Sequence, residues 1–146
     1  MHSQVNQPWT RLAPAVPASA SIRMGSTSSS NDGVTRVLFI CSRNRWRSPT
    51  AERIYRGKAG LEVRSAGTSR SAVHPVTVAD VTWADVIMLM EDKHKRRLAA
   101  DFPDAVRFKD LHVLDIPDDY RFMQPELVEE LTLTIDPILF PLVTRA

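Results

Sequence analysis

Two short apolar runs, VTRVLFI (residues 34–40) and VIMLM (86–90), and between them the strand-like LEVRSA (61–66), recur along the chain with helix-length segments separating them. The two apolar runs, short and continuous, suit strands buried on both faces of a parallel sheet. After the first run, Pro49 fits the opening position of a helix, and TAERIYRGKAG puts Ala51, Ile54 and Tyr55 on one face before Gly60 stops it. Residues 76–83 can form a short helix, and EDKHKRRLAADF (91–102) reads as an amphipathic helix ended near Pro103. A fourth strand is expected within residues 107–114. Beyond the turn IPDDY, Pro125 opens a last helix, PELVEELTLTI, with glutamates in its first turns where the helix dipole favours them. Pro137 and Pro141 are expected to kink or fray it. Strands alternating with helices predict an α/β fold whose ligands bind outside the carboxyl ends of the strands.

The 146 residues suit one domain, expected over residues 34–146. Residues 1–33 carry Pro, Ala and Ser, an SSSNDG run and neither helical nor strand periodicity, and they read as a disordered extension. A formal charge of +2 is too small to point to nucleic acid as a partner. No run of eighteen or more apolar residues appears, so no membrane-spanning helix is expected, and with no secretory signal pattern the reading is cytoplasmic. The single cysteine, Cys41, excludes an internal disulfide and a Cys-rich zinc site and suits a reducing compartment. His74, His94 and His112 lack ligand spacing, so no metal or other cofactor is expected; His94, in a charged helix, is expected to be solvated.

The chemistry concentrates in CSRNRWRSP, residues 41–49, which places Cys41 and Arg47 six positions apart between a strand and a helix. Such a loop can turn successive backbone N–H groups inward, and the helix dipole reinforces the cradle they make for an anion. Arg47 can add a planar fork to two phosphate oxygens, a geometry lysine cannot match. The same positive field favours the thiolate form of Cys41. Ser48 can donate to that sulfur, and Asn44 can tie the loop's own backbone together. Arg43 and Arg45 are either ligand-facing or merely solvated, and Trp46 either flanks a substrate or packs.

VLFICSRNRWRSPTAE, residues 37–52, resembles the signature of the low-molecular-weight protein tyrosine phosphatase family, C-x5-R-S followed by P-x-A-E. RSAGTS (64–69) resembles the family's second-strand motif, and WADVIMLMEDKHKRRL (83–98) its third strand and helix. The resemblance implies a three-layer, doubly wound, four-stranded parallel sheet with helices on both faces. It also implies two-step hydrolysis of phosphomonoesters through a phosphocysteine, without metal. Carried over by motif, Cys41 is the nucleophile and Arg47 the phosphate clamp. Ser42, Arg43, Asn44, Arg45, Trp46, Arg47 and Ser48 form the phosphate-binding loop, and Ser65 supports Asn44. The family's general acid precedes the last helix; here LDIPDDY offers Asp115 as the closest match, then Asp118, then Asp119. Two departures stand out. Trp46 occupies the place of a frequent second cysteine, so no internal disulfide can protect Cys41, and the segment after the second strand is short, roughly residues 69–77.

The expected substrate is a phosphorylated protein or a small phosphomonoester, with phosphotyrosine or phosphoarginine among the candidates. Arsenate reduction on the same scaffold would need an external thiol at each turnover, because the chain has no further cysteine. A binding module that keeps the loop but turns nothing over is the alternative from another class; it would need the cradle and Arg47, but not a thiol.

Overall fold

The computed structural model describes residues 33–145, so the expected extension lies outside the described residues apart from Gly33. The elements run β1 (Thr35–Cys41), α1 (Arg47–Tyr55), β2 (Leu61–Gly67), α2 (Val78–Trp83), β3 (Val86–Leu89), α3 (Asp92–Asp101), α4 (Pro103–Val106), β4 (Asp110–Val113) and α5 (Pro125–Arg145). The strands form one sheet in the order β2-β1-β3-β4, and each neighbouring pair is parallel. This is the expected doubly wound α/β architecture.

Alternation along β1 divides the core. Val37, Phe39 and Cys41 face one layer with Ala51 and Tyr55 of α1 and Leu127, Leu131, Ile135, Leu139 and Val143 of α5. Leu38 and Ile40 face the other, against Val81 of α2, Leu98 of α3 and Val106 of α4. Side chains of a strand alternate faces, so helices on both sides require the unbroken apolar run seen in the sequence. Tyr55, fully buried, donates its hydroxyl to Asp136 and so ties α1 to α5.

Several boundaries differ from those expected. α1 begins at Arg47 rather than at Pro49, because Trp46 takes the cap position and Thr50 N–H already bonds the Trp46 carbonyl. It ends at Tyr55, well before Gly60, since Gly57 adopts φ +83° and turns the chain out of the helix. β1, β2, α2, β3 and α3 fall within one or two residues of their expected ends and β4 lies inside its expected range, the ordinary play of element termini, whereas the single turn α4 was not expected. Pro137 and Pro141 do not end α5, which continues through both to Arg145. Each proline removes one backbone donor, costing about 3 kcal/mol or more. Ile135, Leu139 and Val143 stay buried on the core face of the same helix, each contributing about 1.5–3 kcal/mol in compensation.

The topology fixes where a ligand binds. From β1 the chain winds outward to β2, while β3 and β4 lie on β1's other side. The switch point is therefore the crevice beyond the carboxyl ends of β1 and β3, where the residues after Cys41 and after Leu89 emerge. Among the described residues, no helix is long and apolar enough to cross a membrane.

Candidate active site

The loop between β1 and α1 is held in place from outside. The carbonyls of Cys41, Ser42 and Arg43 accept from the N–H groups of Thr68, Ser69 and Val73. Among the described residues, no backbone N–H from Ser42 to Arg47 has a hydrogen-bond acceptor in the protein. The N-terminus of α1 is also uncapped by any side chain and has no acidic residue in its first turn. A concave row of free donors at a positive helix end is an anion cradle. Gly67 is what lets the supporting segment come this close. A Cβ there would lie 2.4 Å from the Ser42 carbonyl oxygen and 3.0 Å from the Asn44 nitrogen.

Beneath the loop runs a directional chain of hydrogen bonds. Ser65 Oγ donates to Glu52 Oε1 at 2.6 Å, which leaves it to accept from Asn44 Nδ2 at 3.0 Å. The second Asn44 Nδ2 hydrogen goes to Ser48 Oγ, also at 3.0 Å. Ser48 Oγ lies 3.0 Å from Cys41 Sγ and 3.4 Å from the Ala66 carbonyl. Its oxygen accepts from Asn44, and its single O–H can serve either the Ala66 carbonyl or the sulfur; when the sulfur is a thiolate, which only accepts, the hydroxyl is the donor of that pair. Asn44 reaches both serines by adopting φ +57°, a left-handed conformation that asparagine tolerates well. Asn44 and Ser48, counted among the phosphate-binding residues on sequence, thus lie buried under the loop as its framework. Ser65 supports Asn44 as the motif implied. Glu52, the anchor of this chain, was visible only as the last letter of the PTAE segment.

Arg47 is 2% exposed and is held by three groups. Its Nη1 donates to Glu91 Oε2 at 2.5 Å and to the Ile116 carbonyl at 2.8 Å, and its Nε lies 3.5 Å from Asp118 Oδ1. Burial would raise the Glu91 carboxyl, but the hydrogen bond and charge of Arg47, with Lys93 and His94, outweigh it and hold the group below its ordinary value. Glu91 and Ile116 were not anticipated. Glu91 opens a helix and reads as a surface acid, and a main-chain carbonyl leaves no mark in a sequence.

His94 corrects one expectation: it is 1% exposed, not solvated. Its Nδ1 accepts the Glu91 N–H at 3.0 Å, so the remaining ring proton sits on Nε2, 2.8 Å from Ser42 Oγ. Burial and the nearby Arg47 push its pKa down to about 4, and the ring is neutral near pH 7. The other two histidines lie elsewhere, His74 bonded to Asp80 and His112 beside Asp110. The described residues contain no group of three or more His, Cys, Asp or Glu that could hold a metal ion.

An open pocket of about 330 Å³ is lined by Cys41, Ser42, Arg43, Arg45, Trp46, Arg47 and Asp118. Asp115, the first choice for the acid, is not among them. It is exposed, at φ +58°, in the turn after β4. That left-handed turn sends Ile116 into the core and its N–H to the Met90 carbonyl. The chain then returns over the pocket at Asp118.

No protein-family model matches the chain. Among curated proteins, a protein-arginine-phosphatase of Geobacillus stearothermophilus is 30% identical over 94 residues, which is 48% of this chain and 64% of the relative; the match thus spans just under two thirds of that protein's length. A low-molecular-weight protein tyrosine phosphatase from T. tengcongensis superposes with a TM-score of 0.61 at 23% identity, covering 72% of this chain and 97% of the other. The YwlE arginine phosphatase from G. stearothermophilus gives 0.60 at 24%, over 76% and 94%. Vibrio vulnificus Wzb, solved with benzylphosphonate, gives 0.53 at 21%, over 77% and 99%. The fold is that of the low-molecular-weight protein tyrosine phosphatases. Between Cys41 and Glu52 the chain also carries the C-x5-R-S-P-x-A-E loop of that class.

Proposed function

We propose that the chain is a phosphomonoester hydrolase that works through a phosphocysteine, with phosphorylated protein side chains as substrates. The observation that carries this reading is the chain of bonds from Glu52 to Cys41, which ends with the Ser48 hydroxyl 3.0 Å from the sulfur, placed to donate to a thiolate. A module that only bound phosphate would use the cradle and Arg47 and would gain nothing from a hydrogen bond aimed at a thiolate, so this network favours catalysis over the binding alternative. The relatives bear names of arginine and tyrosine phosphatases; the steps below are those for a phosphotyrosine, whose leaving atom is the phenolic oxygen.

The loop N–H groups and Arg47 hold the phosphoryl oxygens, and Cys41 Sγ attacks phosphorus from the floor of the pocket. The P–O bond to the substrate breaks as the S–P bond forms. Asp118, protonated, gives its proton to the departing oxygen, and as the carboxylate it then takes a proton from water. That water attacks phosphorus, the S–P bond breaks, and inorganic phosphate leaves with the thiolate restored. Throughout, Arg47 spreads charge over two equatorial oxygens, with Glu91 and the Ile116 carbonyl fixing its plane. Glu52, Ser65, Asn44 and Ser48 hold the negative sulfur as nucleophile and as leaving group.

The test is turnover of an aryl phosphate by the unmodified protein and by Cys41→Ser. Loss of turnover with retained vanadate binding supports the reading. Equal activity in the two proteins refutes it.

A further inference from the structure

The loop presents two arginines that this chemistry does not use. Arg43 and Arg45 flank buried Asn44, whose side chain is committed inward to Ser48 and Ser65. Both are exposed and both line the pocket. Arg47 already has Glu91 and Asp118, whereas among the described residues neither Arg43 nor Arg45 has a carboxylate within 4 Å or a side-chain hydrogen bond. The one acid lining the pocket, Asp118, faces Arg47. The Arg43 backbone is pinned by Val73 N–H, and the Arg45 guanidinium lies 5.9 Å from the centroid of the Trp46 ring, which is 40% exposed. The mouth of the pocket thus bears two guanidinium forks that no carboxylate among the described residues holds, one of them beside an aromatic face.

We propose that Arg43 and Arg45 form a second anion subsite, selecting phosphorylated protein segments that carry acidic residues beside the phosphorylated one. This rests on the hydrolase reading and deepens it. The cradle and Arg47 hold the phosphate at the floor, next to buried Cys41. Arg43 and Arg45, exposed and lining the same pocket, are placed for a carboxylate a residue or two away in an extended segment. An arginine fork pairs with such a carboxylate through two parallel hydrogen bonds, and Trp46 offers a flat surface to the side chain between them. Exposed contacts of this kind are individually modest and screened by salt, so the pair acts on selectivity.

Two phosphotyrosine peptides that differ only in Asp against Asn on either side of the tyrosine provide the test, with a sugar bisphosphate and its monophosphate as the small-molecule arm. The unmodified protein is expected to favour the acidic peptide by about tenfold in kcat/KM at low salt, the ratio shrinking as salt rises. In Arg43→Gln/Arg45→Gln the ratio falls to about one. Calorimetric binding of the same peptides to Cys41→Ser reads the subsite without turnover, so a failure of catalysis is distinguishable from a failure of selection. Equal binding and turnover of both peptides overturns the proposal, as does a preference that survives the double substitution. A gain confined to the bisphosphate overturns the assignment to a protein segment.

Discussion

His94 provides a stability signature that can be worked from its surroundings. Its ring is buried between β1's loop and α3, accepts the Glu91 N–H, donates to Ser42, and faces Arg47 and Lys93 as cations and Glu91 and Asp118 as anions. Burial is the largest influence and Arg47 the next, and together they lower its pKa from 6.5 to about 4. In the window between these values the unfolded chain holds a proton that the folded one refuses. The stabilisation is therefore complete above pH 6.5 and is lost as pH falls toward 4. Integrating the difference gives up to about 2 kcal/mol lost by pH 5, less where solvent screens the parts due to Arg47 and Lys93. His94→Gln can accept and donate as the imidazole does, but it does not titrate. Urea unfolding of both proteins from pH 7.5 to 4.5 should show the unmodified protein losing this extra stability relative to the variant, with the common carboxylates cancelling in the difference. The imidazole resonances of His94 should correspondingly stay those of a neutral ring down to about pH 5. A constant difference across the range, or a ring that titrates in the folded protein near 6.5, refutes the reasoning.

Two further outcomes follow from the geometry. Asp118→Asn should slow phenyl phosphate far more than nitrophenyl phosphate, by about 10²- to 10⁴-fold for the more basic leaving oxygen, whereas Asp115→Asn should show no such dependence; the reverse pattern in a leaving-group series returns the acid to Asp115. Gly67→Ala should lower kcat/KM by about 10²-fold while the far-UV circular dichroism spectrum stays native, because its Cβ would drive the Ser42 carbonyl out of place; near-normal activity would show that the loop has slack at this contact.

The readable parts of the molecule were those set by burial and by local spacing. β1 announced itself because helices cover both of its faces, and the Cys41–Arg47 loop because strand, spacing and helix start coincide. His94 was hidden by its neighbours, since Lys93, Lys95, Arg96 and Arg97 give the segment a solvated look; its four-residue spacing to buried Leu98 was the signal of an inward face. The same spacing through Leu131, Ile135, Leu139 and Val143 continues past Pro137 and marks the length of α5 better than the prolines do. Which of Asp115 and Asp118 lines the pocket could not be told by position, because it turns on one left-handed residue. Glu91 and the Ile116 carbonyl reach Arg47 across 44 and 69 residues. No local pattern encodes contacts of that kind.

In the proposed hydrolysis, phosphate passes through the sulfur of Cys41. Rapid quenching in acid during turnover of nitrophenyl phosphate, followed by mass spectrometry of the peptide bearing Cys41, tests it directly. A burst of nitrophenol matched by a phosphate adduct on that sulfur is expected, appearing within the first turnover and absent in Cys41→Ser. Sustained release of nitrophenol by Cys41→Ser at the rate of the unmodified protein, with no adduct trapped in either, would contradict it.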